Sequence, residues 1–136
     1  MDFTLKIELS SHPQLMSVVR SAVEKYAEAM GFADQECRSI ILAVDETLTN
    51  VIRHAYGNAT DRQIAVTCRK ADNGVEFLIE DSGQPVDTTK IRGRALEDIK
   101  PGGLGTHLIS SCMDEVKYER VGNNNRTRLF RKFKKS

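Results

Sequence analysis

The chain has 136 residues, enough for one domain with its own core, and its 40% hydrophobic and 29% charged residues are those of an ordinary globular protein. No uncharged apolar run approaches the ~18 residues of a membrane span, and the N-terminus lacks the basic-then-apolar pattern of a signal peptide; a cytoplasmic protein without a membrane segment is expected. Cys37, Cys68 and Cys112 are odd in number, far apart and outside any CxxC pattern, which argues for free thiols and against zinc. The net charge of +1 is uneven. From Lys117 onward there are eight basic residues and one acid, Glu119, so the rest carries about −6. Arg126, Arg128, Arg131, Lys132, Lys134 and Lys135 interleave with a strand-like run and read as its solvated face. No aromatic platform accompanies them, so direct nucleic-acid binding is not expected.

Residues 2–9 alternate apolar and polar side chains and predict a half-buried strand. Ser10-Ser11-His12-Pro13 supplies a cap and an early-helix proline. Leu15, Val18, Val19, Ala22, Val23, Tyr26 and Met30 recur at helical spacing until Gly31. A second helix is predicted from Asp34, read as its cap, to about His54, with a core stripe of Ile40, Val44, Leu48, Val51, Ile52 and Ala55. Gln63–Arg69 and Gly74–Glu80 read as two strands joined by Asp72-Asn73-Gly74. Ser82 to Gly105 then holds five of nine glycines and two of three prolines, with one short helical pattern at Arg94–Ile99. That is too long for a plain connection and marks a functional loop. A helix over Leu104–Met113 and strands over Glu115–Arg120 and Thr127–Phe133, around a turn at Gly122–Asn125, complete the chain. Residues 1–136 thus read as one α+β domain, a two-layer sandwich with a mostly antiparallel sheet and helices on one face.

Three segments carry chemistry. Glu46 and Asn50 are four apart on the second helix, so they share a face away from the apolar stripe. An amide oxygen can bind a hard cation, and a carboxylate can accept the proton of an attacking hydroxyl. Glu80-Asp81-Ser82-Gly83 ends an apolar strand with an acceptor for an exocyclic amine and a glycine that admits a flat ligand. Pro101-Gly102-Gly103-Leu104-Gly105-Thr106-His107 runs directly into a helix, where bare amides and the positive helix end can cradle phosphate. It lacks the Gly-Lys-Ser/Thr of a P-loop, and no strand precedes it as in a dinucleotide fingerprint. Each segment alone has a bland reading as a solvated helix face, a strand-to-loop turn or a glycine hinge.

Their order and separation resemble the N, G1 and G2 boxes of the GHKL ATPase and kinase superfamily, with its Bergerat nucleotide-binding fold. Glu46-(x3)-Asn50-(x3)-His54-Ala55-Tyr56, Asp81-Ser82-Gly83-Gln84-Pro85-Val86-Asp87 and Gly103-Leu104-Gly105-(x3)-Ile109-(x3)-Met113-Asp114-Glu115-Val116 resemble the bacterial anti-sigma factor serine kinases more narrowly. Gly122-Asn123 and Leu129-(x2)-Lys132 echo that family's terminal hairpin. The resemblance implies ATP and Mg2+ as cofactors, with Asn50 on the metal and Glu46 as the catalytic base. It implies Asp81 at the adenine amine, Gly83 beneath the ring, and Gly103, Leu104, Gly105 and Thr106 on the phosphates. Ser82–Gly102 becomes a mobile ATP lid. His54 is expected to support the site or the core rather than to act in catalysis, and Arg20 is a candidate for partner contact. Thr106-His107 departs from the apolar residue often found after the G2 glycines.

The function so implied is an anti-sigma factor with serine-protein kinase activity that phosphorylates a STAS-type antagonist and switches between it and a sigma factor. A homodimer is expected from the same resemblance. The alternatives are an ATP-gated binding module without significant kinase activity and a switch kinase that controls a phosphatase. A sensor histidine kinase would need a helical hairpin bearing the phospho-accepting histidine, for which neither end of the sequence leaves room.

Overall fold

A computed structural model describes residues 3–85 and 108–134. Strand β1 (Leu5–Ser10) leads through a 3-10 turn (Pro13–Leu15) to α1 (Met16–Ala29) and α2 (Asp34–Asn50), which ends in a π turn (Val51–Ala55). Strands β2 (Gln63–Ala71) and β3 (Gly74–Asp81) follow, then β4 (Glu115–Val121) and β5 (Asn124–Lys132). Residues 108–112 are helical. The five strands form one antiparallel sheet in the order β1-β2-β3-β5-β4. The α+β Bergerat-type sandwich is therefore present. The Ser82–Gly102 lid lies almost wholly outside the described residues, and so does the start of the Leu104–Met113 helix.

Side-chain alternation sets the sheet's two faces. Val66, Cys68, Val75, Phe77, Ile79 and Leu129 pack into the core with Val19 and Val23 of α1, Ile40, Val44 and Leu48 of α2, and Ile109. The other face alternates charges: Arg69 and Arg128 pair with Glu76, Arg128 with Glu115, and Arg126 with Glu80 and Glu119. The three cysteines are free and buried. Burial pushes the Cys68 thiol up to about 12.

Several local expectations need correction. Val18 is 57% exposed, because α1 turns Met16, Val19, Val23, Tyr26 and Ala27 inward and leaves Val18 off that stripe. Asp34 lies inside the first turn of α2; the N-cap is Ala33, whose N–H donates to the Glu36 carboxylate. Arg131 faces α2 rather than solvent, with Nη2 3.8 Å from buried Glu36. The last turn is shorter than expected. Val121 pairs with Asn124, leaving Gly122-Asn123 as the loop, with Gly122 at φ +62°. Asn124 and Asn125 join the ladder, where the Asn125 amide finds partners in buried Asp81, the Gln84 carbonyl and Arg120.

Candidate functional site

The apolar positions of α2 fix which way its polar residues turn. With Ile40, Val44 and Leu48 buried, Glu46 and Asn50 come out half-buried on another side, one turn apart. Neither side chain has a hydrogen bond or ion pair within the described residues. Their neighbours are satisfied: Thr47 and Thr49 donate to the Ala43 and Asp45 carbonyls at 2.7 and 2.9 Å. Arg20 Nη1 is 2.9 Å from Asp45 Oδ1, so the candidate partner arginine is held on α2. The donor set fits the implied metal chemistry, an amide oxygen one helical turn from a carboxylate, with both acceptors free within the described residues.

These two threonine back-bonds come just before the helix changes pitch. In the π turn the Tyr56 N–H donates to the Val51 carbonyl at 3.0 Å, five residues back. His54 is exposed here, so it is not a core histidine. The turn aims the Ala55 carbonyl at the end of β3, where it accepts from the Gln84 N–H at 2.9 Å. A Cβ on Gly83 would lie 2.3 Å from that oxygen. Glycine is thus required at 83 by the close approach of the π turn. Tyr56 adds a second tie: its hydroxyl donates to the Gln63 carbonyl and accepts from the Ser82 N–H at 2.9 Å.

Asp81 is the last residue of β3 and only 5% exposed. Its Oδ1 accepts from the Gly83 N–H at 2.9 Å and from Asn125 Nδ2 at 2.8 Å; within the described residues Oδ2 accepts nothing. Burial pushes this carboxyl up, while the bonds from Asn125 and Gly83 and the charge of Arg120 offset part of the rise. A buried carboxylate with one oxygen engaged and one free suits a ligand N–H donor such as an exocyclic amine.

Two residues of this network were not singled out in the sequence. Asn125, on β5, also donates to the Gln84 carbonyl at 2.7 Å and accepts from Arg120 Nη1 at 3.0 Å. Arg120, on β4, donates to the Gly83 carbonyl at 2.9 Å. Read as part of a turn, Asn125 carried no signal. The alternation Asn125, Thr127, Leu129 would have placed it on the core side of a longer strand. Beside the network lies an open hollow of about 220 Å3, lined by Pro85, Tyr118, Arg120, Asn125 and Thr127 among others.

The π turn that follows Asn50 thus packs against the Gly83 turn just after Asp81, and Glu46 lies one helical turn before Asn50. Gly103, Leu104, Gly105 and Thr106 lie outside the described residues. Among the described residues no helix is long and apolar enough to cross a membrane.

Comparison with known proteins bears on the domain as a whole. The family model of the histidine kinase-like ATPase domain matches residues 9–131. The chain is 30% identical over 122 residues to serine-protein kinase RsbW of Listeria monocytogenes serotype 4a, covering 83% of this chain and 77% of that one. RsbW of Oceanobacillus iheyensis is 27% identical over 121 residues, with the same coverage. Among solved structures, the SiaB–SiaC complex of Pseudomonas aeruginosa matches at a TM-score of 0.70 and 14% identity, covering 93% of this chain and 88% of that one. The RsbU and RsbW domains of a Mycobacterium tuberculosis protein also match at 0.70, at 19% identity, covering 96% of this chain but 32% of that longer one. These two likenesses concern the fold. With the family model spanning nearly its whole length, the chain belongs to the histidine kinase-like ATPase domain family, in the group of the RsbW-type anti-sigma factor serine kinases.

Proposed function

We propose that the protein is a Mg-ATP-dependent serine-protein kinase that doubles as a binding switch, holding a sigma factor in one state and phosphorylating a STAS-type antagonist in the other. The observation that carries the reading is the pair of half-buried, unengaged acceptors Glu46 and Asn50, on the helix whose π turn braces the Asp81 turn. Glu46 takes the proton of the serine hydroxyl, and Asp81 accepts a hydrogen bond from the adenine amine over Gly83. Asn50 would hold magnesium, which neutralises phosphate charge when bound. Gly103, Leu104, Gly105 and Thr106 are assigned to the phosphates on sequence alone. Little else is required, because phosphoryl transfer depends mainly on position and charge. A phosphoserine adds nearly two negative charges to the antagonist surface, beside the kinase's own acids, and so loosens that complex. The names of the relatives support kinase activity. A homodimer, as in the family resemblance, belongs to the same proposal.

The test is transfer from γ-labelled Mg-ATP to a serine of a STAS-type antagonist, with the native protein beside Glu46→Ala and Asp81→Asn. Label on the antagonist, lost in Glu46→Ala while ADP still binds, is the expected result. Full transfer by Glu46→Ala removes Glu46 from the base role. ATP binding with no label at all, and an antagonist retained in one nucleotide state only, would make the protein an ATP-gated binder instead.

A further inference from the structure

Asp81 does not stand alone at the end of β3. Asn125 reaches it from β5, the neighbouring strand, where the two residues are register partners with side chains on the core face. Asn125 is 5% exposed, and both ends of its amide are engaged: Nδ2 donates to Asp81 Oδ1 and to the Gln84 carbonyl, and Oδ1 accepts from Arg120. The orientation of that amide follows from chemistry. An arginine can only donate, so the atom facing Arg120 is the oxygen and the nitrogen must face Asp81. Arg120 is in turn pinned by the Gly122 and Gly83 carbonyls.

We propose that Asn125, held by Arg120, is the positioning residue that makes Asp81 selective for a ligand amine. It occupies Oδ1 together with the Gly83 N–H and leaves Oδ2 as the acceptor. This inference rests on the nucleotide site proposed above and adds the residue that sets its base preference. A 6-amino purine donates to Oδ2; a 6-oxo purine such as inosine presents an oxygen there and is repelled. Asn125 also favours the ionised carboxylate, the form able to accept. The charged group facing Asp81 is Arg120 of β4. Asn125 of β5 and the Gly83 amide are neutral, and the Tyr56 hydroxyl reaches only the adjacent Ser82.

The test is calorimetric binding of ADP and of inosine diphosphate to the full chain, for wild type, Asn125→Leu and Arg120→Met. Melting curves without nucleotide establish that each variant folds. Asn125→Leu is expected to weaken ADP binding about tenfold and to shrink the ADP-over-inosine preference by a similar factor. As pH falls from about 8 to about 5, its ADP affinity should drop earlier than that of wild type, because a bond favouring the charged carboxyl is gone. Arg120→Met, on an exposed position, should move both readouts the same way by less, and it carries the test if Asn125→Leu does not fold. A lowered melting temperature with unchanged preference and pH profile in the folded variants would overturn the proposal and leave Asn125 a packing residue. A wild type that binds neither nucleotide would overturn the underlying site as well.

Discussion

At the scale of single residues, Gly83 shows how one side chain can have two reasons to be absent. The flat-ligand argument drawn from the sequence concerns the side open to a nucleotide, whereas the structure supplies a contact on the protein side, the Ala55 carbonyl. Gly83→Ala is therefore expected to cost about 1–3 kcal/mol through that overlap alone, as overpacked sites do. It should also weaken ADP binding, since relief moves the Gly83 N–H off Asp81. Denaturant melts with and without ADP separate the two effects. Equal stability with and without the methyl group would show that the π turn yields freely. The sequence singles out Glu46, Asn50 and Asp81 because each carries its proposed chemistry in its own side chain at a telling spacing. It passes over Asn125 and Arg120, because their role comes from register across three strands that no local pattern records.

At the scale of elements, the π turn decides how α2 meets the sheet. The sequence predicted one helix from Asp34 to about His54, and helical periodicity does continue through Ile52 and Ala55. What it hides is the change from four-residue to five-residue hydrogen bonding after Asn50. The cause is tertiary: Tyr56 must place its hydroxyl between the Gln63 carbonyl and the Ser82 N–H, joining the start of β2 to the end of β3. Tyr56→Phe leaves the part-buried Gln63 carbonyl and Ser82 N–H without that partner, and a loss of about 0.5–1.5 kcal/mol is expected. Amide exchange at Ser82 and Gln84 should quicken more than exchange in the middle of β3. Uniform quickening through the sheet would make the tyrosine a general core residue instead. The strands themselves were read well, since alternation is local. The starts of β1 and β5 were missed: Phe3 and Thr4 lie ahead of β1, and three asparagines at the start of β5 looked like a turn.

At the scale of the whole molecule, the basic tail of the sequence proves to be half of an internal charge lattice. Arg126, Arg128 and Arg131 find Glu80, Glu76 and Glu36 on elements far earlier in the chain. Glu76 is its hub, with side-chain exposure of 15%. Burial pushes its carboxyl up, but hydrogen bonds from Arg69 and Arg128, and their charges, outweigh this and hold it below its usual 4.5. A depressed carboxyl stabilises the fold above its unfolded-state pKa and loses that contribution as pH falls through the folded one. Glu76→Gln should therefore cost about 1 kcal/mol near neutrality and close to nothing in acid, read from melts across pH. A constant cost at every pH would assign the effect to packing. The strand order carries a further consequence for how the molecule is made. β5 follows the other four strands in chain order, yet it lies between β3 and β4 rather than at an edge. A ribosome-bound chain that has reached Asp81, or even Val121, still lacks both the strand that closes the sheet and the amide that engages the Asp81 carboxylate. On the proposed nucleotide site, competence then arrives in one step with the β4–β5 hairpin, and a chain cut short of Asn124 has an open sheet in place of a weakened site.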